Sequence, residues 1–113
     1  MEPSVSATKT RIMYIECKGA SLQGPSRIGR VTYSKSGRSL TYAGRTLLAS
    51  EGFKSNYIDV DRDEEYWVSG PRRRGSDRRY GTGIVEIDED VRVEYWTEIR
   101  GMPSSTSRAH YGP

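Results

Sequence analysis

Cysteine occurs once in this chain, at Cys17, and histidine once, at His110. A single thiol closes no intrachain disulfide and supplies no Cys cluster for a metal. The lone histidine lies in a polar C-terminal stretch, where nothing holds it within reach of a substrate proton as a general base must be held. No nucleophile–base set is visible beside it. The start of the chain has no apolar targeting core, and no apolar run is long enough to span a bilayer. These absences predict a cytoplasmic protein without a membrane span, without a cofactor and without enzymatic activity. Two partial motifs fail on inspection. Asp59-Val-Asp61-Arg-Asp63 has the alternating spacing that opens a calcium loop, but Glu64 stands where a glycine is needed and Gly70 where a bidentate Glu is needed. Gly81-Thr-Gly83 is too short for a phosphate-binding fingerprint, and a β-rich run follows it instead of a helix.

Large aliphatic residues are also scarce, with only four Leu, and hydrophobic residues make up 34% of the 113 positions. Eight Tyr and two Trp must therefore fill much of any core. Their polar edges suit a thin barrel or a half-open sheet. Twelve Gly and five Pro point to many turns. The length allows one domain.

The pattern along the chain is mostly that of strands. Residues 1–11 are polar and aperiodic and read as a disordered arm. Ile12–Cys17, Ile28–Ser34, Ser39–Ala43 and Thr46–Leu48 are candidate strands, with Lys35–Arg38 a tight turn between the second and third. Asn56–Val60 and Glu64–Val68 flank Asp61-Arg62-Asp63 as a hairpin. Ile58 and Val60 are expected on one face with Tyr66 and Val68; Tyr57, Asp59, Glu65 and Trp67 are expected on the other. Ile84–Ile87 is a last short strand. Asp88 then reads as a helix N-cap, with an apolar stripe of Val91, Tyr95 and Ile99 beside Trp96. Residues 103–113 read as a flexible tail, which leaves a single domain over residues 12–102.

Net charge is +3 and the pI about 9.1, weakly in favour of an anionic partner. The charge comes in blocks. Met13–Ala49 carries six Lys/Arg against one Glu, and Ser50–Ser69 two against six acids. Gly70–Gly83 carries five against one, and Ile84–Gly101 two against six. The Arg-rich loop is the most suggestive stretch. Guanidinium groups grip phosphates and stack on bases, and Tyr80 adds an aromatic face. The candidate binding residues are Arg72, Arg73, Arg74, Arg78, Arg79 and Tyr80, with Trp67 facing outwards on the preceding strand. The competing reading pairs these arginines with the acidic helix, through Glu89, Asp90 or Glu94.

Several blocks carry a resemblance. Met13-Tyr-Ile-Glu-Cys-Lys-Gly19, Arg27-Ile-Gly-Arg-Val-Thr-Tyr-Ser-Lys-Ser-Gly-Arg38 and Gly52-Phe-Lys54 are the first three. Glu64-Glu-Tyr-Trp-Val-Ser-Gly-Pro71, Val85-Glu-Ile-Asp-Glu-Asp-Val-Arg92 and Glu94-Tyr-Trp-Thr-Glu-Ile-Arg100 complete them. Together they resemble a family of short, uncharacterised bacterial proteins over about Met13–Arg100. Its members circulate under the inherited name 1-deoxy-D-xylulose-5-phosphate synthase. That activity needs thiamine diphosphate, a Gly-Asp-Gly motif followed by Asn, and α/β domains several times this length; this sequence has neither the motif nor the room. The family begins near Met13 and has a Gly-like turn residue where this chain has Asp63.

The expected fold is mainly β, of the α+β kind: a small antiparallel sheet of five to six strands, curled or barrel-like, with one C-terminal helix. The expected function is a non-catalytic interaction module that contacts a protein or RNA through the loop at residues 71–80. The alternative is a small ligand-binding barrel or an unrecognised enzyme. A barrel mouth lined by Tyr and carboxylates would favour the alternative, and a basic face the module.

Overall fold

In a computed structural model, which describes residues 9–18, 24–52, 54–78 and 83–112, strand β1 (Lys9–Cys17) is covered on both faces. Met13, Ile15 and Cys17 point one way; Ile12, Tyr14 and Glu16 point the other. A strand buried on both sides needs a layer on each. The first layer is a barrel. β1 pairs with β2 (Ser26–Tyr33), and a meander follows through β3 (Ser39–Tyr42), β4 (Arg45–Ala49), β5 (Tyr57–Asp59) and β6 (Glu64–Ser69). β6 returns to β1, from Tyr14↔Ser69 to Cys17↔Tyr66, and closes six antiparallel strands. Closure leaves no free edge among these strands. Ile15, Val31, Leu40, Leu47, Tyr66 and Val68 fill the interior. A barrel this narrow has room for side chains and little else.

The second layer is the C-terminal part of the chain. β7 (Val85–Ile87) adds to β2 in parallel, and β8 (His110–Tyr111) pairs antiparallel to β7. Between them runs the C-terminal helix: a 3-10 turn at Glu89–Val91, one α-helical turn, α1 (Arg92–Glu94), and a π-helical turn at Tyr95–Ile99. This layer packs Val85, Ile87, Val91, Tyr95 and Trp96 onto Ile12, Tyr14 and Ile28. Each large aromatic ring buried here contributes roughly 2–3 kcal/mol of gross apolar burial. Among the described residues no helix is long and apolar enough to cross a membrane.

Four sequence expectations change. The central hairpin is shifted by one residue in its first arm. Tyr57 pairs with Tyr66 and Asp59 with Glu64, so Tyr57 and Asp59 share the barrel face and Val60 is exposed in the turn. A one-residue register change moves every side chain to the other face, and the turn sets it, with Asp63 in the left-handed region at φ 55°. Asp88 precedes the helix but makes no side-chain cap; it binds Arg27 and Tyr42 instead. The apolar stripe is Val91, Tyr95 and Trp96, with Ile99 only half-buried. The cause is the wide turn, in which the Arg100 N–H bonds the Tyr95 carbonyl five residues back. Finally, β1 starts at Lys9, and β8 ties His110 and Tyr111 to the sheet. The paired strands therefore run past the boundaries drawn at residues 12 and 102.

Candidate nucleic-acid interface

The Arg-rich loop leaves β6 and is tied at its base by a buried carboxylate. Asp77 accepts the Arg72 backbone N–H at 2.5 Å through Oδ1. Its Oδ2 accepts the Tyr95 hydroxyl at 2.6 Å, Arg100 Nη2 at 2.9 Å and the Tyr111 hydroxyl. The Asp77 N–H in turn donates to the Tyr111 oxygen at 2.8 Å. Burial, reinforced by the bond to Asp77, raises the Tyr95 and Tyr111 phenols above their ordinary value. The loop is thus closed over five residues by a group with no exposed side-chain surface.

Arg72, Arg73 and Arg74 stand exposed on this loop. None makes an ion pair with another described residue. The acidic helix does not take them. Asp90 and Glu94 pair with Arg30, at 3.8 and 3.1 Å. Arg30 lies on β2, which packs directly against the start of the helix.

Two other expected contacts fall away. Arg78 turns inwards: its Nη1 donates to Glu16 at 3.2 Å and its Nη2 to the Gly24 carbonyl at 2.8 Å. Glu16 also takes the Tyr14 hydroxyl, the Gly24 N–H and Lys18, so Arg78 belongs to an internal ionic cluster. Trp67 does not face outwards; it is half-buried and packs against the outer core. Arg79 and Tyr80 lie outside the described residues.

The fold adds cations that sequence reading left out. The register Lys9↔Tyr33 sets the start of β1 beside the end of β2, next to the turn that carries Lys35 and Arg38. Lys9, Arg11, Lys35 and Tyr33 line a recess of about 470 Å³ with Ser34 and Ser36. Arg11 and Tyr33 line a second depression with Gly70 and Pro71, from which the Arg72–Arg74 segment departs. One end of the barrel therefore collects Lys9, Arg11, Lys35, Arg38 and Arg72–Arg74, all exposed and none ion-paired among the described residues. Elsewhere Arg27, Arg30, Arg45, Arg62 and Arg100 all have carboxylate partners. Burial and the neighbouring Tyr57 raise the Tyr33 phenol, and the Arg11 charge partly offsets them. The only sequence sign of this patch was the local density of Lys and Arg, since Lys9 sits in a stretch that reads as a polar arm.

Set against family models, curated proteins and solved structures, the chain finds no match.

Proposed function

We propose that this chain is a non-catalytic module that binds single-stranded RNA through the basic end of its barrel, in the cytoplasm. The observation that carries the reading is the concentration at that end of exposed cations with no ion pair among the described residues, while Asp90 and Glu94 of the neighbouring helix are committed to Arg30. Unpaired guanidinium and ammonium groups leave their donors for phosphates. Tyr33, half-buried between Lys9, Arg11 and Lys35, offers a ring flanked by charge, the arrangement that takes an unstacked base with its phosphates alongside. The tie from Asp77 to Arg72 holds the loop in place before binding, which lowers the entropy lost on contact.

The test is a titration of labelled oligouridine at two salt concentrations. Each phosphate contact on a single strand contributes about 0.7 to the log–log salt slope, so replacing Arg72, Arg73 and Arg74 by Ala should lower the slope by about 2. The melting temperature should hardly move, because exposed substitutions fall within about ±0.5 kcal/mol each. An unchanged slope in the triple variant would remove the loop from the interface. No binding by the intact chain at low salt would overturn the RNA reading and leave an acidic protein surface as the partner.

A further inference from the structure

The opposite end of the barrel is built differently. There a pocket of about 430 Å³ opens over the interior, with Ile15 and Cys17 at its floor. That volume lies at the low end of the range for small-molecule sites. Two matched clusters stand around it. Arg27 Nε donates to Asp88 Oδ1 at 2.6 Å, and Asp88 Oδ2 accepts the Tyr42 hydroxyl at 2.6 Å. Across the pocket, Arg45 Nη1 donates to Glu64 Oε1 at 2.9 Å and to the Tyr66 oxygen at 2.6 Å.

The backbone is arranged to allow this. The two-residue turn between β3 and β4 has Ala43 at φ 52° and Gly44 at φ 78°, and it sets Tyr42 opposite Arg45 at the rim. A non-glycine residue in that conformation is uncommon. Gly29 lies beneath the first cluster. A Cβ there would come within 2.5 Å of Tyr42 Cε1 and would also meet the Asp88 carboxylate, so the Tyr42–Asp88 bond depends on its absence.

The charges choose the ligand. Each lining guanidinium is already matched by a lining carboxylate, so an ionic ligand would have to take a partner from an existing pair and leave the other charge short. Hydrogen-bond donors nonetheless remain: Arg45 Nε and Nη2 have no partner among the described residues, and the five N–H groups of Arg27 outnumber its contacts with Asp88, Glu86 and Tyr42. Tyr42 and Tyr66 have their hydroxyls engaged, which leaves their rings, with Ile15, as apolar contact surface. We propose that this mouth binds a neutral, ring-containing small molecule of the amide or lactam class, held by its carbonyl oxygen on the guanidinium groups of Arg27 and Arg45. The site is separate from the basic end and does not depend on RNA binding there.

Benzamide, benzoate and benzylammonium share a ring and differ in head-group charge. Each is titrated into the full chain, and backbone amide shifts are followed by NMR. Benzamide is expected to shift Cys17, Ala43, Arg45 and Tyr66, and to bind at least about tenfold more tightly than either ion. Arg45→Lys keeps the charge but loses the planar fork, and should weaken benzamide about tenfold, the fold-change that one charge-assisted hydrogen bond carries. Arg27→Lys serves as the second variant if the first fails to fold. Oligouridine should leave these amides in place. Equal binding of the three probes, tighter binding of either ion, no shifts at all, or an Arg variant that folds and binds benzamide unchanged would each overturn the proposal.

Discussion

Asp77→Ala is the substitution expected to cost most. The carboxylate has no exposed surface and accepts four hydrogen bonds, from the Arg72 backbone, the Tyr95 and Tyr111 hydroxyls and Arg100. Its removal leaves the Arg100 guanidinium, whose side chain is only 8% exposed, without its counter-charge. Breaking one side of a buried ion pair costs about 3–5 kcal/mol. The stranded phenols add to this, though not additively. A total of at least about 4 kcal/mol would consume much of the roughly 5–15 kcal/mol that stabilises a domain. Urea unfolding reports it through tryptophan fluorescence, because Trp96 packs edge-on against both Tyr95 and Tyr111. Asp77→Ala combined with Arg100→Met removes both charges, and should be more stable than Asp77→Ala alone by at least about 1 kcal/mol. A single variant that loses less than about 1 kcal/mol would refute the argument. So would a double variant that shows no such recovery.

Two further outcomes follow from close packing and from buried phenols. Gly29→Ala should separate Tyr42 from Asp88 and destabilise by roughly 1–3 kcal/mol; a melting temperature equal to that of the parent would show that the pair gives way freely. Alkaline pH should unfold the chain. Burial raises the Tyr14, Tyr42 and Tyr95 phenols and pushes Tyr66 up to about 12. These groups contribute full stability below the unfolded value of about 10. Above it the unfolded chain ionises first, and the contribution is lost as pH rises towards the folded values. Melting temperature should therefore fall steeply above about pH 10, and tyrosinate absorbance should rise together with unfolding; a flat melting temperature up to about pH 11 would contradict the reasoning.

Much of the fold was legible because strand signals are local. Alternation along Ile12–Cys17, the Lys35–Arg38 turn and the acidic turn at residues 61–63 mark strands and hairpin turns without any partner in view. The helix was legible from Val91 and Tyr95, but its π turn was not, because that turn answers to the packing of Tyr95 and Trp96 against β1 and β8. Of the candidate site, only the exposed arginines at Arg72–Arg74 were legible, from their density. Arg78 reads the same as its neighbours in sequence, yet it serves Glu16, which is 62 residues away.

By itself, then, the sequence determined a β-rich chain with one helix, short turns between several of its strands, and a basic loop between β6 and β7. Tertiary structure decided which charges are spent. Glu16 takes Arg78, Asp77 takes Arg100, Asp90 and Glu94 take Arg30, and Lys9, Arg11 and Lys35 are left together at one end. The physical reason is that a charge pairs with whatever closure of the barrel brings within about 4 Å. Closure depends on the register between distant strands, which no local run of residues encodes.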